Sequence, residues 1–167
     1  MIALPDAEQL LTALIAQMRP QVSATVGLVG ILTGGAWIAE RLHRALNLAT
    51  APAALDVSFY RDDFAAEGLK HEIQPSRIPF EIDGRDLILV DDVLYTGRTV
   101  RAALDALADL GRAESIQLAV LVDRGERELP IRADYVGKNV QAPGGQRVYV
   151  RLSEVDGADA VVVGNGK

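Results

Sequence analysis

The densest chemistry in the chain lies in Asp91-Asp92-Val93-Leu94-Tyr95-Thr96-Gly97-Arg98-Thr99, at the end of the apolar run that starts at Leu87. A phosphate monoester needs donors converging from several sides. The turn Tyr95–Thr99 offers successive backbone N–H groups, the hydroxyls of Thr96 and Thr99, and the positive end of a following helix. Gly97 lets the backbone come close to a phosphate, and Arg98 adds charge. Two adjacent carboxylates repel one another unless something lies between them. A vicinal diol answers that need, since Asp91 and Asp92 can accept hydrogen bonds from both hydroxyls, and their charge would attract a Mg²⁺ ion bound to the same ligand. Taken alone, Asp-Asp also reads as a helix-entry cap and Thr-Gly-Arg-Thr as an ordinary turn. The joint pattern of apolar strand, paired acids, donor turn and amphipathic helix is far more specific.

The elements that must hold this turn follow from hydrophobic spacing. Asp6 can cap a first helix with apolar Leu10, Leu11, Leu14, Ile15 and Met18, stopped by Pro20. Val26–Ile31 is too continuously apolar for a one-sided strand and reads as a buried one. Thr33-Gly34-Gly35 then turns the chain into a helix with Ile38, Ala39, Leu42, Ala45 and Leu46 on one face. Leu55–Tyr60 is a candidate strand, and the polar stretch from Arg61 to about Arg77 is a long excursion of the kind that forms lids. Leu87–Val90 is a second buried strand. The helix from about Thr99 turns Val100, Ala103, Leu104, Leu107 and Leu110 inward until Gly111, and Ile116–Val122 completes a strand-helix-strand unit. Buried strands joined by helices imply an α/β fold with a mainly parallel sheet. After Val122 the pattern changes to short charged turns and strands at Val148–Leu152 and Ala160–Val163, read as a sheet edge plus a cap.

With 167 residues and 49% hydrophobic content, one domain with a sizeable core is expected. The apolar runs are far shorter than a membrane span, and the start MIALPDAEQ lacks the basic and apolar regions of a signal peptide, so a soluble, cytoplasmic protein is expected. With no cysteine, disulfides and thiolate metal sites are excluded, His43 and His71 leave little material for a zinc site, and any metal should be a hard cation held by oxygen. The net charge of −6 weighs against nucleic acid, and Arg19 is the only cation before Arg41. Between Asp123 and Lys138 the basic residues Arg124, Arg127 and Arg132 are interleaved with Glu126, Glu128 and Asp134, the alternation of a solvated face.

Val90–Val100 resembles the phosphoribosyl-pyrophosphate motif of type I phosphoribosyltransferases. With Tyr60–Asp63 (YRDD), Val90–Leu107 and Leu118–Asn139, the chain is similar to the PyrR family, bifunctional regulators of the pyrimidine operon and uracil phosphoribosyltransferases. The resemblance implies a type I fold with a small hood and a flexible loop. It also implies Mg²⁺-dependent synthesis of UMP and pyrophosphate from uracil and 5-phosphoribosyl 1-pyrophosphate (PRPP), a homodimer or larger homo-oligomer, and in some members binding of pyr messenger RNA under control of UMP or UTP. By motif position it gives Asp91 and Asp92 the ribose hydroxyls, and with them an indirect hold on the metal. Tyr95, Thr96, Gly97, Arg98 and Thr99 receive the 5′-phosphate, and Thr33, Gly34 and Gly35 the pyrophosphate. Asp123, Arg124, Tyr135 and Val136 receive uracil, and Tyr60, Arg61, Asp62 and Asp63 fall to the lid, where Lys70, His71 and Arg77 could meet the pyrophosphate.

In one respect the chain departs from the family. Where relatives often carry a Lys and an Arg around the pyrophosphate-loop threonine, it has Leu32 and Gly34, which leaves catalytic rate in question. Two alternatives to the uracil enzyme stay open. One is a uridine-nucleotide sensor that binds RNA with little catalysis, through Arg127, Arg132, Lys138 and Arg147 gathered on one face. The other is salvage of a different base, disfavoured because related purine enzymes carry Lys where Asp123 stands. Trp37 reads as a core or subunit-contact residue.

Overall fold

The computed structural model describes residues 4–61 and 75–165, and in it helices and strands alternate as the apolar runs require. Helix α1 spans Ala7–Met18; Asp6 caps it by accepting the Gln9 N–H at 2.9 Å, and Leu10, Leu11, Leu14 and Met18 form its buried face. Strand β1, Gly27–Ile31, is buried throughout, as the unbroken apolar run demands. Helix α2, Gly34–Leu46, buries Ile38, Ala39 and Leu42 and ends at Asn47, a residue type that enters the left-handed region at modest cost.

Strand β2 covers only Ala53–Leu55 and corrects the longer strand expected to run to Tyr60. The Asp56 carboxylate accepts the Ser58 N–H at 2.8 Å, which bends the chain out of the sheet and into a 3₁₀ turn over Ser58–Tyr60. Strand β3, Asp86–Leu94, leads into helix α3, Arg98–Leu110, and strand β4 spans Ser115–Asp123. Along α3 the buried residues are Val100, Ala102, Ala103, Ala106 and Leu107, whereas Leu110 is 55% exposed at the end of the helix, contrary to its expected inward position.

Tyr135–Asn139 forms β5, a strand that hydrophobic spacing did not disclose, because its second half is exposed and charged. The sheet has the order β2-β1-β3-β4-β5, with every pair parallel. The outer edge of β5 is blunted by α1: Gln17 donates to the Val136 carbonyl at 2.7 Å and accepts its N–H at 3.2 Å. Beyond β5, strands β6 (Arg147–Arg151) and β7 (Ala160–Gly164) pair antiparallel, joined through the short helix α4 (Ser153–Asp156), and form the expected hood.

Helices cover both sheet faces. Leu14, Met18, Ile38, Leu42, Val90 and Leu121 belong to one apolar cluster, which also takes in Val148 and Leu152 of the hood segment. Leu89, Val100, Ala103, Leu107 and Val120 belong to the other, beneath α3. This two-sided burial explains why the central strands carry no polar alternation. It also leaves the carboxyl ends of β1, β3, β4 and β5 along one sheet edge, where open α/β sheets bind ligands.

Candidate functional site

At that edge β3 continues further than the apolar run suggests. Its pairing with β4 persists through Val93↔Val122 and Leu94↔Asp123, so Asp91 and Asp92 lie within the strand rather than after it. The continued ladder fixes the backbone beneath both carboxylates. Asp91 is buried; its Oδ1 accepts the Asp92 N–H at 2.9 Å, and Asp92 Oδ1 accepts the Val93 N–H at 2.7 Å. Burial, followed by the Asp92 charge, pushes the Asp91 carboxyl well above the usual carboxylate range, and Arg61 offsets only part of this. The pair is thus held in a repulsive arrangement that hydroxyl donors or a cation would relieve.

The turn after β3 lines a cavity of about 280 Å³, together with Arg61, Asp91 and the first residues of α3. Gly97 supports the turn with φ 93°, a conformation costly for any residue with a Cβ, and such a Cβ would also lie 3.0 Å from Ile131. Helix α3 starts at Arg98, one residue earlier than expected. The Arg98 N–H donates to Thr96 Oγ1 at 3.3 Å, while its guanidinium leans outward to Glu128 at 3.1 Å, in an exposed pair worth little in stability. Among the described residues, the N–H groups of Thr96 and Gly97 have no acceptor. Unpaired amides at a helix start beside a cavity make an anion-binding surface.

The turn between β1 and α2 comes to the same two acids. A Cβ on Gly35 would lie 2.2 Å from the Val90 carbonyl oxygen, and one on Gly34 would lie 2.7 Å from Asp92 Oδ2. Only glycine allows α2 to start this close to β3. The structure therefore brings Asp91 to the Tyr95–Thr99 turn and to Gly35, and Asp92 to Gly34, with the Leu32–Thr33 peptide bond cis.

The residues assigned to uracil divide. Asp123 and Arg124 stand at the carboxyl edge: the Arg124 guanidinium lies 3.8 Å from the Tyr95 ring centroid and donates to the Gln146 carbonyl at 3.0 Å and to Glu126 at 2.9 Å. Burial raises the Asp123 carboxyl, but the Arg127 guanidinium and the Gly125 N–H outweigh it and leave Asp123 below its usual range. Tyr135 and Val136 do not join them, which corrects the expectation. Tyr135 pairs with Ala119 and Asn139 with Asp123, so Tyr135 lies four residues, or ~13 Å at about 3.3 Å per residue, from the strand end. Tyr135 is buried in the cluster that includes the α1 residues and donates to Gln117 at 3.2 Å; the backbone of Val136 is occupied by Gln17. A Cβ on the adjacent Gly137 would come within 3.1 Å of the Leu10 carbonyl oxygen, so this segment serves helix packing.

The chain after Asn139 takes the place expected for Tyr135 and Val136. The Val140 N–H donates to the Asp123 carbonyl at 2.8 Å, and Gln146 is tied to Arg124. The available signal was that a short strand beginning at Tyr135 must deliver its following residues, not its first ones, to the carboxyl edge.

Of the lid residues, Arg61 lines the cavity and the Tyr60 hydroxyl donates to Asp109 of α3 at 2.7 Å. Asp62, Asp63, Lys70 and His71 lie outside the described residues. Arg77 is joined to Ala54 by a two-way backbone bridge. Arg127 was expected as a surface cation, but its guanidinium is committed to Asp123 and to carbonyls of the neighbouring turns. Among the described residues there is no group of three or more His, Cys, Asp or Glu that could hold a metal, and no helix is long and apolar enough to cross a membrane.

Comparison with known proteins agrees with this geometry. Residues 3–151 match the family model described as the phosphoribosyl transferase domain. The chain is 50% identical over 153 residues to the bifunctional protein PyrR of Listeria monocytogenes, covering 87% of this chain and 84% of the relative. It is 52% identical over 145 residues to that of Chloroflexus aurantiacus, covering 84% and 80%. Among solved structures, a Staphylococcus aureus hypoxanthine phosphoribosyltransferase superposes with a TM-score of 0.70 at 20% identity, covering 99% of this chain and 92% of the other. The Trypanosoma cruzi hypoxanthine phosphoribosyltransferase gives 0.69 at 22%, covering 100% and 98%. These distant structures establish the type I phosphoribosyltransferase fold, and with the family model and half of its residues shared with PyrR proteins, the chain belongs to the phosphoribosyl transferase family and, within it, to the PyrR proteins.

Proposed function

We propose that the protein transfers the phosphoribosyl group of PRPP to uracil, giving UMP and pyrophosphate. The observation that carries this reading is the unpaired amides of Thr96 and Gly97 beside the repulsive Asp91–Asp92 pair, two subsites whose needs a ribose 5-phosphate meets together. The turn Tyr95–Thr99 takes the 5′-phosphate. Asp91 and Asp92 accept from the ribose hydroxyls and steady the positive charge that develops on the ring as the bond to pyrophosphate breaks. The start of α2, at Thr33, Gly34 and Gly35, receives the leaving pyrophosphate on backbone N–H groups. The adjacent oxygens of Asp91 and Asp92 suit Mg²⁺, held through the diol or water, which when bound neutralises the pyrophosphate. The base lies against Arg124 and the segment after Asn139, which the register of β5 supports in place of Tyr135 and Val136. Uracil as the base rests on membership among the PyrR proteins.

Incubation with PRPP, Mg²⁺ and a panel of uracil, hypoxanthine and guanine tests the assignment. UMP is the expected product, lost on Asp91→Asn or Asp92→Asn. Turnover of a purine in preference to uracil, or none despite PRPP binding, would refute it.

A second reading is favoured by Leu32 and Gly34, which leave the pyrophosphate loop without the family's flanking cations. In it the site senses UMP or UTP, catalysis is slow, and a dimer of this chain binds pyr messenger RNA. It predicts a salt-sensitive gel shift modulated by UMP, and no shift at low salt would remove it.

A further inference from the structure

The loop after β4 does not line the cavity, yet it grips the turn that does. Gly125 and Glu126 are both left-handed, with φ 73° and 59°, and reverse the chain so that Arg127 returns to the sheet edge. There its guanidinium donates to three elements at once: Nη2 to Asp123 Oδ2 at 2.5 Å, Nη1 to the Tyr95 carbonyl at 2.8 Å, and Nε to the Ile131 carbonyl at 2.8 Å. The next two residues continue the grip, the N–H groups of Glu128 and Leu129 reaching the Thr96 carbonyl at 2.9 and 3.1 Å.

The carbonyls of Tyr95 and Thr96 are therefore both held on the loop side. In a trans peptide the N–H points opposite to its carbonyl, so the amides of Thr96 and Gly97 are turned away from the loop. Neither amide has an acceptor among the described residues. The planar fork of arginine can satisfy a carboxylate and two carbonyls from one fixed position, which a lysine ammonium on a flexible stem does not reproduce.

We propose that Arg127 is a positioning residue for the phosphate-binding turn, with the Asp123 carboxylate as its anchor. The idea rests on the phosphoribosyl-site reading and refines it, for Asp123 then serves the phosphate end of the ligand through Arg127 rather than contacting the base. Arg127→Met frees the Tyr95 carbonyl and lets the turn rotate its amides off the phosphate, whereas the base and ribose contacts stay.

Calorimetric titration of UMP and uridine into the folded protein separates the possibilities. The wild-type protein should prefer UMP over uridine by the contribution of the 5′-phosphate. Arg127→Met should cut that preference about tenfold, or about 1.4 kcal/mol, with uridine affinity held within about twofold. Asp123→Asn should cut the same preference, the double variant should be no worse than Arg127→Met, and Arg127→Lys should lie between Met and wild type. Parallel weakening of UMP and uridine would overturn the proposal, since it marks a base contact or general damage, and so would an unchanged preference. If Arg127→Met does not fold, Arg127→Lys and Asp123→Asn decide by the same criteria. A wild-type protein that does not prefer UMP refutes the phosphate site itself, an outcome distinct from failure of the positioning role.

Discussion

Arg41 fastens the hood to the body of the protein, and its removal should destabilise the fold in a pH-dependent way. It stands on α2 with its side chain 14% exposed. It makes paired bonds to Asp159 at 2.9 and 2.9 Å and to Glu154 at 2.8 and 2.6 Å, with Ser153 Oγ at 3.1 Å. Asp159 and Glu154 are each about a fifth exposed. Arg41 holds the Asp159 carboxyl down at about 2 and lowers Glu154 in the same direction. The shift from 3.8 to about 2 at Asp159 corresponds to roughly 2 kcal/mol. Glu154 adds to it, so Arg41→Met should cost about 2–3 kcal/mol at neutral pH and lower Tm by about 5–10 °C.

The sign follows from the depressed carboxylates. A group whose folded pKa lies below its unfolded value contributes fully above the unfolded value and loses its contribution as pH falls through the folded one. The gap between wild type and Arg41→Met should be complete from pH 7 to about 5.5, close as pH falls below about 4, and be largely gone near pH 2. Urea unfolding followed by far-UV circular dichroism at pH 7, 5, 4 and 3 measures it. A gap under about 0.5 kcal/mol at pH 7, or one unchanged at pH 3, would refute the clamp as an electrostatic device.

Three further outcomes are expected. Gly35→Ala places a methyl 2.2 Å from the Val90 carbonyl oxygen and should cost about 1–3 kcal/mol while displacing the start of α2; a thermal melt and turnover assay matching wild type would show that α2 has room to move. Asp91→Asn removes a buried charge whose folded pKa is raised, so stability that falls in wild type as pH rises above the ordinary carboxylate range should be regained near pH 7 even as turnover is lost; a lower Tm at neutral pH would contradict this. Leu32→Lys restores one loop cation while leaving Gly34, whose Cβ would lie 2.7 Å from Asp92 Oδ2, untouched, and kcat should rise about tenfold or more; an unchanged kcat would mean that leaving-group charge does not limit the rate.

The central parallel sheet was legible because Gly27–Ile31 and Leu87–Val90 are buried on both faces, and only such burial produces unbroken apolar runs. Asp6 was legible as a cap because capping is decided within three residues. Edge strand β5 was not, since its stability comes from β4 and from Gln17, which is 119 residues distant from Val136. The expectation that grouped Tyr135 and Val136 with Asp123 and Arg124 failed through that omission: without the strand there was no way to tell which of its ends reaches the carboxyl edge.

By itself the sequence determined that paired acids, a glycine turn and a helix start stand together at Asp91–Thr99, because they lie within one local stretch whose order dictates their proximity. It determined the parallel α/β architecture for the same reason of local, periodic burial. Only the tertiary structure decided which residues reach the carboxyl edge beside Asp123, that burial raises the Asp91 carboxyl, and that Arg41 and Arg127 are committed to internal partners. Each of these depends on charges and carbonyls brought together across the sheet edge by strands distant in the chain, and no spacing in the sequence encodes those distances.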